Sequence, residues 1–240
     1  MDDMNSLKKQ SRIATALYFL NALPAPFALL YVPGVLMVRG DATATANNVR
    51  DSEALLRLGM GVELFSSTVV IFAVLAFYSL FKVVSGKQAR AMLVLMLLST
   101  PISYLNVLND VAALTFARGP AFLAIFDQPQ RDALTFFFLR LHNQGIVLAQ
   151  IFWGLWLFPF GILIIRSGFI PRFVGFSVIV AGSGYVIASC SLLLLPGFGS
   201  TINQFAMILG VGELALIWML IWGARQQPTD HSGLNPVVVS

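Results

Sequence analysis

Charge is scarce in this chain. Only 11% of its 240 residues are Asp, Glu, Lys or Arg, against roughly 25% in a soluble domain. Histidine and cysteine are scarcer still, with two and one. The lone Cys190 excludes an intrachain disulfide framework, a CxxC redox pair and a thiolate zinc site, and reads as a small residue of an apolar interior. Two histidines, one of them His231 in the polar C-terminal stretch, exclude a three-histidine zinc centre and a bis-histidine haem within one chain. HExxH, the P-loop pattern and GxSxG do not occur, which removes zinc-protease, nucleotide-phosphate and nucleophile-elbow chemistry. No metal and no cofactor is expected, although one histidine together with three acids could still bind an ion or act as a general base.

Apolar residues are what the chain has in excess: 58% are hydrophobic, 20 are Phe, and the mean hydropathy is +0.81. One soluble core of this size cannot hide that surface, so lipid must solvate part of it. The implied fold class is all-α, a polytopic transmembrane helix bundle. Net charge +4 and pI 9.5 would suggest nucleic acid in a soluble protein. Here the basic residues lie between apolar runs, where they orient the chain, so a lipid bilayer and not a polyanion is the expected partner.

Six apolar stretches are long enough to cross a hydrocarbon core about 30 Å thick at 1.5 Å per residue: Ile13–Val38, Leu58–Phe81, Ala91–Phe116, Leu141–Ile165, Phe173–Leu195 and Gln204–Trp222. The first far exceeds the apolar core of a cleavable signal peptide. Pro24, Pro26 and Pro33 should kink or break it, with Asn21 placed to satisfy a freed carbonyl. The first loop, Arg39–Arg57, reads as a short amphipathic interfacial helix with Asp41 as N-cap. In the 117–140 segment, Asp127 and Pro129 mark a helix start that runs on into the fourth span, and a seventh membrane entry there is open. The expected organisation is an N-terminal cytoplasmic segment 1–12, one helical domain 13–224, and a disordered cytoplasmic tail 225–240.

Lys and Arg number nine in the N-terminal segment, second loop, fourth loop and tail, against six in the first, third and fifth loops. The positive-inside rule then puts both termini in the cytoplasm.

An ionisable group at the bilayer centre costs about 2.5–3.5 kcal/mol on insertion scales, so the few inside spans require a reason. They are Glu63, Asp110, His142 and Glu213. In the third span Ser99, Ser103, Asn106 and Asp110 recur at i, i+4, i+7 and i+11, one helical face that must avoid lipid. Glu63 pairs with Ser66 or Ser67 on the second span, and Asn143 with Gln150 on the fourth. The simplest arrangement is an outward-opening polar pocket walled by spans two, three, four and six, with Glu63, Asn106, Asp110, His142, Asn143 and Glu213 as candidate ligand-binding residues. Helix-to-helix hydrogen bonding, at about 0.6 kcal/mol each, is the competing role. Gly175, Ala181, Gly184 and Ala188 in the fifth span serve close packing, and Trp153, Trp156, Trp218 and Trp222 serve as core or interface anchors.

The stretch IFWGLWLFPFGILIIRSGFIPRFVGFSVIVAGSGY at 151–185, with RIATALYFLNAL at 12–23 and GDATATANNVRDSEALLRLG at 40–59, resembles a bacterial family of multi-pass membrane proteins known only as a domain of unknown function. The resemblance implies six or seven spans and carries over no substrate, reaction or catalytic residue. Physically, Arg166 and Arg172 flank a short turn with Gly168 and Pro171, which makes spans four and five an antiparallel hairpin.

Three functions compete. Binding or transport of a small or amphiphilic ligand follows from the intramembrane acids and the proline-broken first helix, although the chain carries no internal repeat. An intramembrane hydrolase-like enzyme acting on lipid would use His142 as base with Asp110 or Glu63 as orienter or metal ligand. A structural or accessory protein, with a second copy as one conceivable partner, would have a dry interior.

Overall fold

The computed structural model describes residues 2–195 and 197–224. The tail at 225–240, with His231 and Arg225, and Pro196 lie outside the described residues. No strand occurs among the described residues, and six helical segments are long and apolar enough to cross a membrane.

The first span is α1 (Asp2–Ala22), a π-helical turn at Phe27–Tyr31 and α2 (Val32–Leu36). Helix therefore begins well before residue 13. Among the described residues the Asn21 side chain has no hydrogen-bond partner, contrary to the sequence expectation. The chain instead widens, and the Val32 amide donates to the Phe27 carbonyl, shifting the bonding register just before Pro33, which has no amide to offer.

The first loop folds as α3 (Ala42–Asp51), with the Asp41 carboxylate accepting from the Ala44 amide at 2.8 Å. Its apolar face, Ala46 and Val49, is buried against the bundle. A short amphipathic helix therefore occupies the first loop, as the sequence pattern indicated, and its buried face packs on protein. The next two spans are α4 (Glu53–Phe81) and α5 (Gly86–Arg118), and a 3-10 turn at Ala121–Leu123 follows with Phe122 and Ile125 exposed beside it. The fourth span is α6 (Gln128–Leu155) followed by α7 (Leu157–Ser167). A capping box between Asp127 and Gln130 starts α6, and the helix runs unbroken into the span as the sequence indicated. The break at Trp156 lies three residues before Pro159, whose ring cannot continue an i to i−4 ladder.

Gly168, at φ +70°, ends α7 in the left-handed region, and α8 (Arg172–Leu194) returns beside it. The expected hairpin is present. Its register is set by reciprocal glycine contacts: a Cβ on Gly161 would lie 2.6 Å from the Gly175 carbonyl oxygen and the reverse is equally close, while Gly154 and Gly182 repeat the arrangement at 2.7 Å. The last span comprises α9 (Gly199–Leu209), a 3-10 segment at Gly210–Leu216 and α10 (Ile217–Ile221). A Cβ on Gly184 would stand 2.5 Å from the Ala206 carbonyl. The Arg12 guanidinium donates to the Ile221 carbonyl, which brings both ends of the described chain to one side and satisfies an orphan carbonyl at a helix C-terminus.

Two apolar clusters fill the interior. One is aromatic, with Phe77, Phe81, Trp156 and Phe160 stacked, tilted or edge-on against one another. The other is smaller and mostly aliphatic, formed by Val32, Leu36, Val49, Leu56, Met60, Val107, Leu114 and Leu139. Large apolar side chains such as Phe72, Leu105, Leu108 and Phe205 point outward, the surface that lipid contacts in an integral membrane protein.

The glycine contacts leave no room for a side chain. Gly161→Val should lower the thermal midpoint of the detergent-solubilised protein, at a cost of about 1–3 kcal/mol for overpacking. Gly61→Ala, at a position with open space around it, should leave the melt nearly unchanged.

Candidate functional site

Between the two apolar clusters lies a polar layer. On α4 it follows Met60 with Glu63 and Ser66, and on α6 it follows Leu139 with His142. On α5 it runs through Ser99, Ser103, Asn106 and Asp110, and all four are buried, as their helical spacing required. Met60 and Glu63, Val107 and Asp110, and Leu139 and His142 are each three residues apart. On α4 and α6 the ionisable residue lies one turn from the aliphatic cluster toward the aromatic one, while on α5, which runs the opposite way, Asp110 stands between Val107 and Ala113 of the aliphatic cluster itself.

His142 is the hub. Its Nδ1 is 3.2 Å from Asp110 Oδ1 and its Nε2 is 3.4 Å from Glu63 Oε2. The Asp110 contact is not aligned as a hydrogen bond, so Nδ1 has no hydrogen-bond partner among the described residues, and neither have Glu63 Oε1 and Ser66 Oγ. Glu63 and His142 are each only 8% exposed and Asp110 6%. One donor atom from each of the three residues falls within 4.8 Å of the other two.

Asn106 ties this hub to its neighbours. Its Nδ2 donates to the His142 carbonyl at 2.9 Å, and its Oδ1 accepts from Asn109 Nδ2 at 3.0 Å. That bond requires α5 and α6 to approach closely at Gly145, where a Cβ would overlap Asn106 Oδ1. Gly145 is a positioning residue that nothing in the sequence pattern singled out. Its signal was present as a glycine three residues after the histidine in an otherwise helical stretch.

Asp110, His142 and Asn143 form the polar end of a cavity of about 80 Å³, whose other walls include Ala28, Val32 and Pro33 of the broken first span. The structure corrects the expected walls here. The first span takes the place expected for the sixth, because its π turn and short α2 pack on α4 near Gly59, where a Cβ would meet Val32 at 3.2 Å. Asn143 Nδ2 lies 3.3 Å from Met37 Sδ, while Gln150 turns away, accepting from Ser189 and lying 3.1 Å from Met207 Sδ.

Glu213 does not join the cluster. It accepts a hydrogen bond from the Tyr18 hydroxyl, a residue the sequence reading passed over, and Tyr18 packs on Trp156 and Phe77 in the aromatic cluster. That places Glu213 as a link between the first and last spans.

Charge pairs close the end of the bundle nearer the cluster. Asp132, 1% exposed, meets Arg50 Nη1 at 2.9 Å and Gln128 Nε2 at 2.8 Å. Arg50 also donates to the Ala117 carbonyl at 3.3 Å. Glu53 pairs with Arg57 at 2.7 Å and with Arg118, whose Nε is also at 2.7 Å. The exposed pairs contribute little each, about 0–1 kcal/mol, while the buried Asp132 requires its partners. Together they fix the first and third loops across the top of α5.

If Asn106 and Gly145 act as one unit, Asn106→Leu and Gly145→Ala should each lower the thermal midpoint, by at least the roughly 0.6 kcal/mol of an interhelical hydrogen bond. The double variant should add little to the worse single one, which a double-mutant cycle on thermal melts checks.

No solved structure matches this chain. A protein of Archaeoglobus fulgidus carrying the description "Uncharacterized protein" is 33% identical over 79 residues, covering 32% of this chain and 46% of the relative, so the match spans less than half of that relative's length. Residues 13–223 match the family described as Domain of unknown function (DUF4386), and this six-span helical chain belongs to that family.

Proposed function

We propose that this integral membrane protein binds a small or amphiphilic molecule in the cavity between its broken first span and α6. The observation that carries the reading is the cavity's two-sided chemistry: apolar walls from Ala28, Val32 and Pro33, and a polar end from Asp110, His142 and Asn143. Binding sites for such ligands combine apolar lining with a few convergent polar groups, and intramembrane ionisable residues that no neighbouring hydrogen bond consumes favour a working role. The π turn supports it further, since widened turns occur often at functional sites. A second reading, chemistry on a lipid-like substrate, is favoured by His142 Nδ1 standing 3.2 Å from Asp110 Oδ1, the outer edge of the range in which an imidazole exchanges protons with a carboxylate.

Screening metabolites and lipids for thermal stabilisation should find ligands that raise the midpoint of the wild type. Asp110→Asn should abolish the shift by changing the polar end, and Ala28→Phe by filling the cavity. A ligand that stabilises all three proteins equally binds elsewhere, and a panel with no hit for the wild type argues for the structural role.

The proposal includes orientation in a bacterial inner membrane with both termini cytoplasmic, so that the cavity and its charge-paired cap lie toward the outer side. A C-terminal fluorescent-protein fusion should be bright, and a periplasm-dependent phosphatase fused there inactive. The same reporters inserted after Ile125 should give the opposite pair of results, and reversed signals at both sites would invert the topology.

A further inference from the structure

The geometry points to a membrane-buried site for one divalent transition-metal cation, held by Glu63, Asp110 and His142, with the cavity supplying its open coordination position. Three observations carry it, and none depends on the amphiphile reading. First, one carboxylate oxygen from each acid and one imidazole nitrogen fall within 4.8 Å of one another, and they come from three different helices, α4, α5 and α6. A tetrahedral ion with bonds of about 2.0–2.1 Å has ligand-to-ligand separations of about 3.3 Å, and His142 Nδ1 and Asp110 Oδ1 stand 3.2 Å apart; Glu63 Oε2 contacts the other ring nitrogen at 3.4 Å, so Glu63 must shift inward to complete the shell.

Second, the donor atoms are free to ligate. Among the described residues Glu63 Oε1 and His142 Nδ1 have no hydrogen-bond partner, although the Glu63 side chain is only 9% exposed and that of His142 11%. A buried polar atom without a partner is costly, and a bound cation would satisfy it. Third, the charges balance. Two carboxylates and a neutral imidazole around a divalent cation form a neutral unit, which removes the penalty of holding two acids in a low-dielectric interior. The packing fits the same role: Asn106 holds the backbone carbonyl of His142 itself, so the ring sits on a helix turn fixed by a neighbour.

One nitrogen and two carboxylate oxygens select among metals. The imidazole favours zinc and its first-row neighbours over magnesium or calcium, which prefer all-oxygen shells. Because three helices each supply one ligand, loading should draw them together and stabilise the bundle. Three protein ligands also leave a fourth position, and Asp110 and His142 both line the cavity, so a water or ligand atom there would contact the ion.

The test uses the full chain purified in detergent through a tag without histidines, stripped with EDTA, reloaded with zinc(II) or manganese(II), desalted, and analysed for metal by mass spectrometry. The expected result is one zinc per chain in the wild type, a thermal midpoint higher by about 5 °C or more on loading, and at least tenfold less metal in Glu63→Gln, Asp110→Asn and His142→Ala. Cobalt(II) loading should give visible absorption bands that the same variants lack. Ala28→Phe, which fills the cavity and leaves all three ligands, should keep its zinc while losing any amphiphile binding, so the two readings fail separately. Should His142→Ala not fold, the near-isosteric Asp110→Asn and Glu63→Gln decide the matter. A wild type that retains no more metal than these variants, or variants that retain as much as the wild type, overturns the site.

Discussion

Hydrocarbon offers no hydrogen bonds, and the inward placement of Glu63, Ser99, Ser103, Asn106, Asp110 and His142 follows from that constraint. On α4, α5 and α6 the buried polar residues form a continuous layer between an aromatic and an aliphatic cluster, while Leu98, Leu105, Leu108 and Val111 occupy the outward face of the same α5 helix. A helix carrying both kinds of residue has one stable rotation about its axis, with the polar face inward. Each of the three helices is held in that rotation, and the three ionisable groups meet because their helices cannot turn away.

Close approach does the rest. Gly145 lets Asn106 reach the His142 carbonyl, and the glycine pairs at 154 and 182 and at 161 and 175 lock the fourth and fifth spans together. Without a hydrophobic force between helices in lipid, such backbone proximity and dispersion carry the association. The proline-rich first span serves a different purpose. It cannot remain a straight rod, and its widened turn and short second helix pack beside α4 to form a cavity wall. A straight helix would present a continuous ridge there.

The charge pairs around Arg50, Glu53, Arg118 and Asp132 belong to the same design. They join α3 and α6 to the end of α5 on the side of the cluster, and the apolar face of α3 covers the aliphatic residues beneath. A buried acid such as Asp132 is satisfied by a neighbouring arginine and amide, whereas Glu63, Asp110 and His142 have one another and little else. That contrast separates a structural ion pair from a group of side chains available to a ligand or an ion.

Apolar run lengths alone determined the helical class and the six spans, because about twenty consecutive apolar residues have no other stable arrangement. The i, i+4, i+7, i+11 spacing of Ser99, Ser103, Asn106 and Asp110 likewise determined which face of the third span is buried, since residues on one helical stripe share one environment. The sequence also indicated the α6 start at Asp127 and the hairpin at Gly168, both of which rest on contacts between near neighbours in the chain. Spacing along one helix says nothing, however, about which helix stands opposite. Glu213 looked like a fourth member of the acidic group and instead meets Tyr18, 195 positions away, while the first span, and not the sixth, borders the cavity. Gly145 acquires its role only because Asn106 of another helix needs the space. Pairings of that kind are set by how ridges and gaps of different helices interlock, a property of the packed bundle that no single segment encodes.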